Sequence, residues 1–407
     1  MISNLYQVGR IFKFILWGVK ARNDAKEVRP GRRERMQRGR TICQVGRYYY
    51  SMTTTLQLSI LDQTPIRRGS DAVRSLQETV ELARLADRLG YTRYWLSEHH
   101  NTITLAGASP EILIARLGAE TRHIRLGSGG IMLPNHSALK VAENFRLLEA
   151  LYPGRIDLGL GRAPGGDRLT SQLLNPSNTF DPQEYIRQIG DLEAFLSDAS
   201  TPGTMHGKVR AIPRIGTRPA LWMLTSSGES AYLAAHFGMA LSYAQFINPV
   251  GGAAAIRSYR ERFRPSEQLS APQASAGIFA FCSEDPQKVK EVEAVMDYRL
   301  LSFEKGRYDE IPSYEIAKDY AYSPAEWQRV LFNRQRTAIG TPIEVARRFE
   351  TLALEFGVDE LVISTFADSF EDRLHSYELL ASVFGLSAGV GEIAPAENRG
   401  EIRSSSV

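Results

Sequence analysis

From Leu56 onward the apolar positions alternate between two periods. Short runs of continuous β-rich hydrophobicity occur at Leu58–Asp62, Arg93–Ser97, Ile124–Leu133, Arg155–Gly161, Leu221–Thr225, Met239–Tyr243, Ala276–Cys282 and Glu360–Ser364. Each is followed by a stretch with helical spacing. The first spans Asp71–Leu89, with Val73, Leu76, Val80, Ala83 and Ala86 on one face and Gly90 as its stop. Others fall at Pro110–Ala119, Ala138–Leu151, Glu229–Phe237, Gly251–Phe263, Pro286–Phe303 and Phe370–Phe384. Two carry a written start signal: Asp181-Pro182-Gln183-Glu184 and Thr341-Pro342-Ile343-Glu344 each place a cap, a proline at the first helical position and a glutamate that can reach back. The helix after Thr341 has Val345, Phe349, Leu352 and Phe356 as its apolar face, with Gly357 at its end.

Strands apolar along their whole length belong to a parallel sheet covered on its outer side. An open doubly wound sheet competes, but eight βα units over roughly 330 residues suit an α/β fold of the (β/α)8 TIM-barrel type. Two insertions are expected, Ala163–Pro219 after strand four and Gly306–Arg336 before strand eight. The second holds Tyr308, Tyr314, Tyr320 and Tyr322, as a lid over the site or as an outer covering helix.

Charge divides the chain. Residues 1–51 hold twelve Lys/Arg against Asp24, Glu27 and Glu34, a balance of +9, so with +3 overall the remainder sums to −6. A mildly acidic body calls for no nucleic-acid partner. The basic start reads as an extension outside the fold, with a misplaced start, a targeting segment and a surface arm as its alternatives; the barrel is expected over 52–386 and a flexible tail over 387–407. No run of 18 apolar residues predicts a membrane helix. Cys43 and Cys282 make neither a disulfide framework nor a metal motif, and a reducing cytoplasm follows. Cys282, in an apolar run, reads as a buried, inert thiol.

Barrel chemistry sits just past the strand C-termini. Strand two ends in Glu98-His99-His100-Asn101, where an imidazole can exchange protons near pH 7 or simply hydrogen-bond. Strand three contains Gly127-Ser128-Gly129-Gly130; glycines there suit a flat ligand lying on the backbone, or a bulge. Strand five ends in Thr225-Ser226-Ser227-Gly228-Glu229-Ser230, where free N–H groups and a helix dipole can hold a phosphate, with Ser227 and Ser230 donating and Arg162 adding a charged bond. A plain serine cap is the alternative. The Gly159-Leu160-Gly161 stretch is no dinucleotide fingerprint, because Pro164 replaces the third glycine.

In order, the chain resembles the bacterial luciferase-like flavin monooxygenases, in their single-chain alkanal monooxygenase-like branch. The stretches are Leu58–Pro65, Tyr94–Asn101, Gly127–His136, Tyr152–Gly165 and Ser376–Ala381. The resemblance implies reduced FMN at the strand ends, delivered by a separate NAD(P)H:flavin reductase. With O2, one oxygen atom enters a small organic substrate. It implies that Arg162, Ser227 and Ser230 hold the phosphate, with Ser226 and Gly228 also among the cofactor-binding residues. It further implies that Gly129 and Gly130, joined by a cis peptide, support the ring, and that His99 is catalytic. Relatives usually pair, so a homodimer is expected. Gly161 stands where light-emitting members carry a reactive cysteine. A deazaflavin (F420)-dependent hydride-transfer enzyme and a non-catalytic flavin-binding protein are the alternatives.

Overall fold

Eight parallel strands close on themselves in the computed structural model, which describes residues 41–45, 48–52, 56–163, 166–177, 181–199, 203–307 and 312–387. They are β1 (Gln57–Asp62), β2 (Arg93–Leu96), β3 (Arg125–Met132), β4 (Ile156–Gly161), β5 (Ala220–Thr225), β6 (Ala240–Ala244), β7 (Ala274–Cys282) and β8 (Glu360–Ser364). Each pairs with the next, and β8 returns to β1 through Leu361 opposite Leu58 and Ile363 opposite Ile60. The (β/α)8 barrel expected from the alternation is therefore the fold.

Two-sided burial explains the unbroken apolar runs: β2, β4 and β8 are buried at every residue. Outward positions such as Leu58, Ile60, Leu158 and Ile278 join the helices in the main core. Inward positions alternate with them by the two-residue repeat of a strand. Leu61, Trp95, Trp222 and Val362 form a small interior core, with the two indoles edge to face at 5.1 Å.

Beneath it lies a charged floor. Asp157 accepts from Arg93 (2.9 Å), Arg125 (2.6 Å) and the Trp95 indole N–H (3.0 Å). Glu360 accepts from Arg93 (2.7 Å) and Ser59 (2.6 Å). This ties together side chains from β1, β2, β3, β4 and β8.

The helices are α1 (Ala72–Leu89), α2 (Pro110–Glu120), α3 (Ala138–Leu151), α4 (Arg168–Leu174), α5 (Pro182–Ser197), α6 (Gly228–Phe237), α7 (Gly252–Arg262), α8 (Pro286–Glu304), α9 (Tyr314–Ala317), α10 (Pro324–Asn333), α11 (Pro342–Phe356) and α12 (Phe370–Val383). The Thr341 cap forms both halves of its capping box with Glu344. Asp181 caps α5 through the Gln183 N–H, but the expected return bond gives way to an ion pair of Glu184 with Arg187.

Three expectations are corrected. Ala83 and Ala86 are buried as expected and Val80 packs against the core, but the inward face of α1 also takes Ser75, Glu78, Thr79, Leu82 and Leu85, while Val73 is 66% exposed. Polar partners draw the helix round: Thr79 donates to the buried Asp62 (2.7 Å), and Arg67 and Arg74 hold Glu78. A ninth strand, Thr337–Gly340, pairs with the last four residues of β7, which outruns its neighbours. Four residues between Arg336 and the Thr341 cap are too short a run to stand out. The second insertion consequently starts at Pro286, since α8 to α10 lead into that strand and α11 is the helix that returns to β8.

In that insertion Tyr320 and Tyr322 pack edge to face at 4.8 Å beside Trp327 and Tyr298. Its α9 end meets the barrel mouth: Arg68, past β1, donates to Ser313 (2.7 Å), and the Tyr314 N–H reaches Asp368, past β8. Tyr308 lies outside the described residues. Residues Thr41–Val45 and Tyr48–Met52 pair antiparallel in a sheet of their own; 1–40 and 388–407 lie outside the described residues. Among the described residues no helix is long and apolar enough to cross a membrane. Cys282 is buried, and burial pushes its thiol up to about 12.

Candidate active site

The barrel brings the end of β4 beside the end of β5. Arg162, one residue past β4, forms an ion pair at 2.7 Å with Glu229 in the first turn of α6. Ser227 is the N-cap of that helix, yet its hydroxyl makes no cap bond. Its own N–H is taken by Thr225 Oγ1 (3.0 Å), which donates in turn to the Ser227 carbonyl (2.7 Å). The Ser226 carbonyl faces the outer wall, accepting from Tyr243 (3.3 Å) and Asn248 (3.0 Å). Gly228 opens the helix and Ser230 lies buried one residue beyond Glu229. First-turn N–H groups of a helix have no intrahelical acceptor, and the dipole makes that end positive. Arg162, Ser227, Gly228 and Ser230 are thus gathered at one corner. Beside it a cleft of ≈ 340 Å³ runs between Tyr185, Ile186, Glu229 and Tyr232.

The β2 end carries the histidines. Ser97 Oγ bonds His99 Nδ1 (3.0 Å), and the His99 N–H donates to the Gly107 carbonyl (3.0 Å). Burial, helped by the neighbouring His100 and opposed by Glu98, pushes the His99 imidazole down to about 4, so it is neutral at physiological pH. Glu98 is fully buried. Its Oε1 accepts from His100 Nε2 (2.8 Å) and His136 Nε2 (2.9 Å), and its Oε2 accepts from the Met132 N–H (2.8 Å). Burial works against the carboxylate, but those bonds hold it down at about 2. Burial likewise opposes the His136 cation, and the bond and charge of Glu98 win, raising its pKa. Sequence reading assigned no role to Glu98 or His136. Their only advance signal was the adjacency of strands two and three in a closed barrel. Among the described residues no group of three His, Cys, Asp or Glu side chains could hold a metal ion.

The glycine strand lies between these two corners. The peptide between Gly129 and Gly130 is cis, and the β3–β4 register shifts between Gly129 and Ile131. Protein atoms account for the missing side chains. A Cβ at Gly127 would sit 2.5 Å from the Asp157 carbonyl oxygen, one at Gly129 2.7 Å from Leu61, and one at Gly130 2.6 Å from both the Gly159 oxygen and Leu224. Of the two readings the sequence left open, close strand approach and a bulge account for these glycines by themselves, with no ligand needed to explain them.

Strand-end groups converging on the mouth of a closed eight-stranded barrel define the class, a TIM-barrel enzyme. Within that class the chain belongs to the luciferase-like monooxygenase family, whose model matches residues 56–360. It is 46% identical to an uncharacterized Bacillus subtilis protein over 81% of this chain and 99% of that one. It is 36% identical to an Escherichia coli luciferase-like monooxygenase (81% and 97%) and 34% identical to the Bacillus subtilis N-acetyl-S-alkylcysteine monooxygenase (80% and 97%). Among solved structures, apo-MsnO8 superposes with a TM-score of 0.75 at 36% identity, covering 82% of this chain and 99% of that one. More distant barrels share the fold. They include the oxygenating component of 3,6-diketocamphane monooxygenase with FMN (18% identical, TM-score 0.59, 80% and 96% covered) and an F420-dependent secondary alcohol dehydrogenase (13%, 0.57, 81% and 99%).

Proposed function

We propose that this protein binds reduced FMN, received from a separate NAD(P)H:flavin reductase, and uses O2 to place one oxygen atom in a small organic substrate. Bound flavin would supply two electrons, and the second oxygen atom would leave as water. The observation that carries the reading is the β4–β5 corner. One guanidinium, a positive helix end and two serine hydroxyls form a donor set suited to a phosphate monoester. Arg162, Ser227, Gly228 and Ser230 would hold that group, with Ser226 shaping the turn. The Gly129–Gly130 segment lies on the route from this corner to His99.

His99 would act as a neutral imidazole, one ring nitrogen engaged with Ser97 and the other left to accept or donate a proton at the substrate. The buried Glu98, through His100 and His136, would keep the neighbouring wall rigid.

Anaerobic titration of the full chain with reduced FMN, oxidised FMN and deazaflavin F420 tests the assignment. FMN binding should weaken about tenfold to hundredfold in Arg162→Ala, the worth of a charge-assisted bond. His99→Ala should keep FMN but lose substrate oxygenation when O2 is admitted. Preferential F420 binding without oxygen consumption would instead support hydride transfer on the same barrel. Unchanged turnover in His99→Ala would remove that residue from the chemistry.

A further inference from the structure

Across the barrel from Gly130, the ends of β6, β7 and β8 carry a row of aromatic rings. Phe246 and Phe279 lie 5.2 Å apart, and Phe279 and Phe366 lie 5.5 Å apart. Phe246 packs on the interior core, and Phe279 takes the inward alternation of β7, two residues beyond Gly277, whose missing side chain makes room for Phe246. All three stay partly open to solvent, as the wall of a recess would. At the end of the row Arg299, from α8, stacks its guanidinium on Phe366 with 4.0 Å to the ring centroid.

Arg299 differs from the other enclosed arginines of this chain. Arg93 pairs with Asp157 and Glu360, Arg373 with Asp62, and Arg336 with Glu304. No carboxylate or acceptor among the described residues engages Arg299. Burial alone, with no acidic neighbour to offset it, pushes its pKa down to about 10, so it remains a cation at neutral pH. A half-buried guanidinium with an aromatic floor and no acid keeps its N–H groups open for an anion to complete.

We propose that Arg299 is a substrate-recognition residue that pairs with the carboxylate of an acidic organic substrate whose apolar body lies along Phe366, Phe279 and Phe246. This rests on the monooxygenase reading and names the substrate class for the same mouth. A guanidinium matches a carboxylate in a two-point fork, and the ring row accepts an apolar chain or an aromatic group. The position, opposite the glycine strand, puts such a substrate on the far side of the mouth from the β4–β5 corner.

The test is calorimetric titration of the full chain with 3-phenylpropanoate and its neutral match, 3-phenylpropanamide, with and without FMN. The wild type should bind the acid about tenfold or more tightly than the amide, the scale of one charge-assisted pair. Arg299→Met should bind both alike, Arg299→Gln should do the same, and Arg299→Lys should recover part of the preference. FMN affinity should be unchanged in all three. The proposal fails if the wild type shows no preference for the acid, or if the Met and Gln variants keep one. It fails equally if FMN excludes the acid and Arg299→Met weakens FMN, because the arginine would then serve the cofactor. Loss of FMN binding by the wild type, with the acid preference intact, would sink the flavin reading and leave the acid site standing.

Discussion

Burial, more than residue type, sets the protonation of His99. Its imidazole titrates near 4 in the fold against an ordinary 6.5, so the unfolded chain takes up a proton that the folded site resists. Stability from this residue is complete above 6.5 and falls as pH drops from 6.5 towards 4. His99→Gln should therefore gain on the wild type over that window by up to about 3 kcal/mol, read as the difference in their urea midpoints at pH 7 and pH 4.5. A difference that does not change with pH would show that His99 titrates normally. The depressed Glu98 acts lower, its contribution being lost as pH falls from 4.5 to about 2, which leaves the His99 window clear. At this scale the sequence named Arg162, Ser227, Ser230 and His99 as strand-end residues. It was silent on Glu98, because a fully buried carboxylate acquires meaning only from the two histidines and the amide that reach it.

Helix starts were the most legible elements. Thr341 and Glu344 form the reciprocal cap that their spacing predicts, with the Thr341 N–H on Glu344 at 2.8 Å. Replacing both by alanine should cost about 1–2 kcal/mol, a fall in Tm of roughly 2–8 °C by thermal denaturation. No change in Tm would mean that α11 is held by packing alone. The same signature at Asp181 proved only half right, since Arg187, one turn on, competes for Glu184. Local spacing found Ala83 and Ala86 but missed the polar part of the α1 face for a related reason. Glu78 and Thr79 are drawn inward by Arg67 and Asp62, and these partners come from the loop and strand outside the helix.

The molecule as a whole is closed by its floor. Asp157 is completely buried and receives Arg93, Arg125 and the Trp95 indole. Asp157→Ala would leave Arg93 with Glu360 alone, Arg125 with backbone carbonyls alone and the Trp95 indole N–H without its acceptor, and should lower stability by about 1–3 kcal/mol. Chemical denaturation would show this as a reduced midpoint. A loss below about 1 kcal/mol would mean that water reaches the floor and replaces the carboxylate.

The alternation of strand and helix, and the order in which chemically useful strand ends appear, were already decided by the chain. Two-sided burial writes continuous apolar runs, and caps mark where helices begin. Which ends face one another was left to closure. Arg162 meets Glu229, Glu98 meets His136, and Arg299 meets Phe366 only once β8 pairs with β1 and the mouth is drawn into a ring. Neither periodicity nor spacing encodes such contacts, because they depend on register and on the sum of many packed interfaces. The glycines of β3 show the limit most clearly: their spacing announced a close approach, and only the packed barrel identified what approaches.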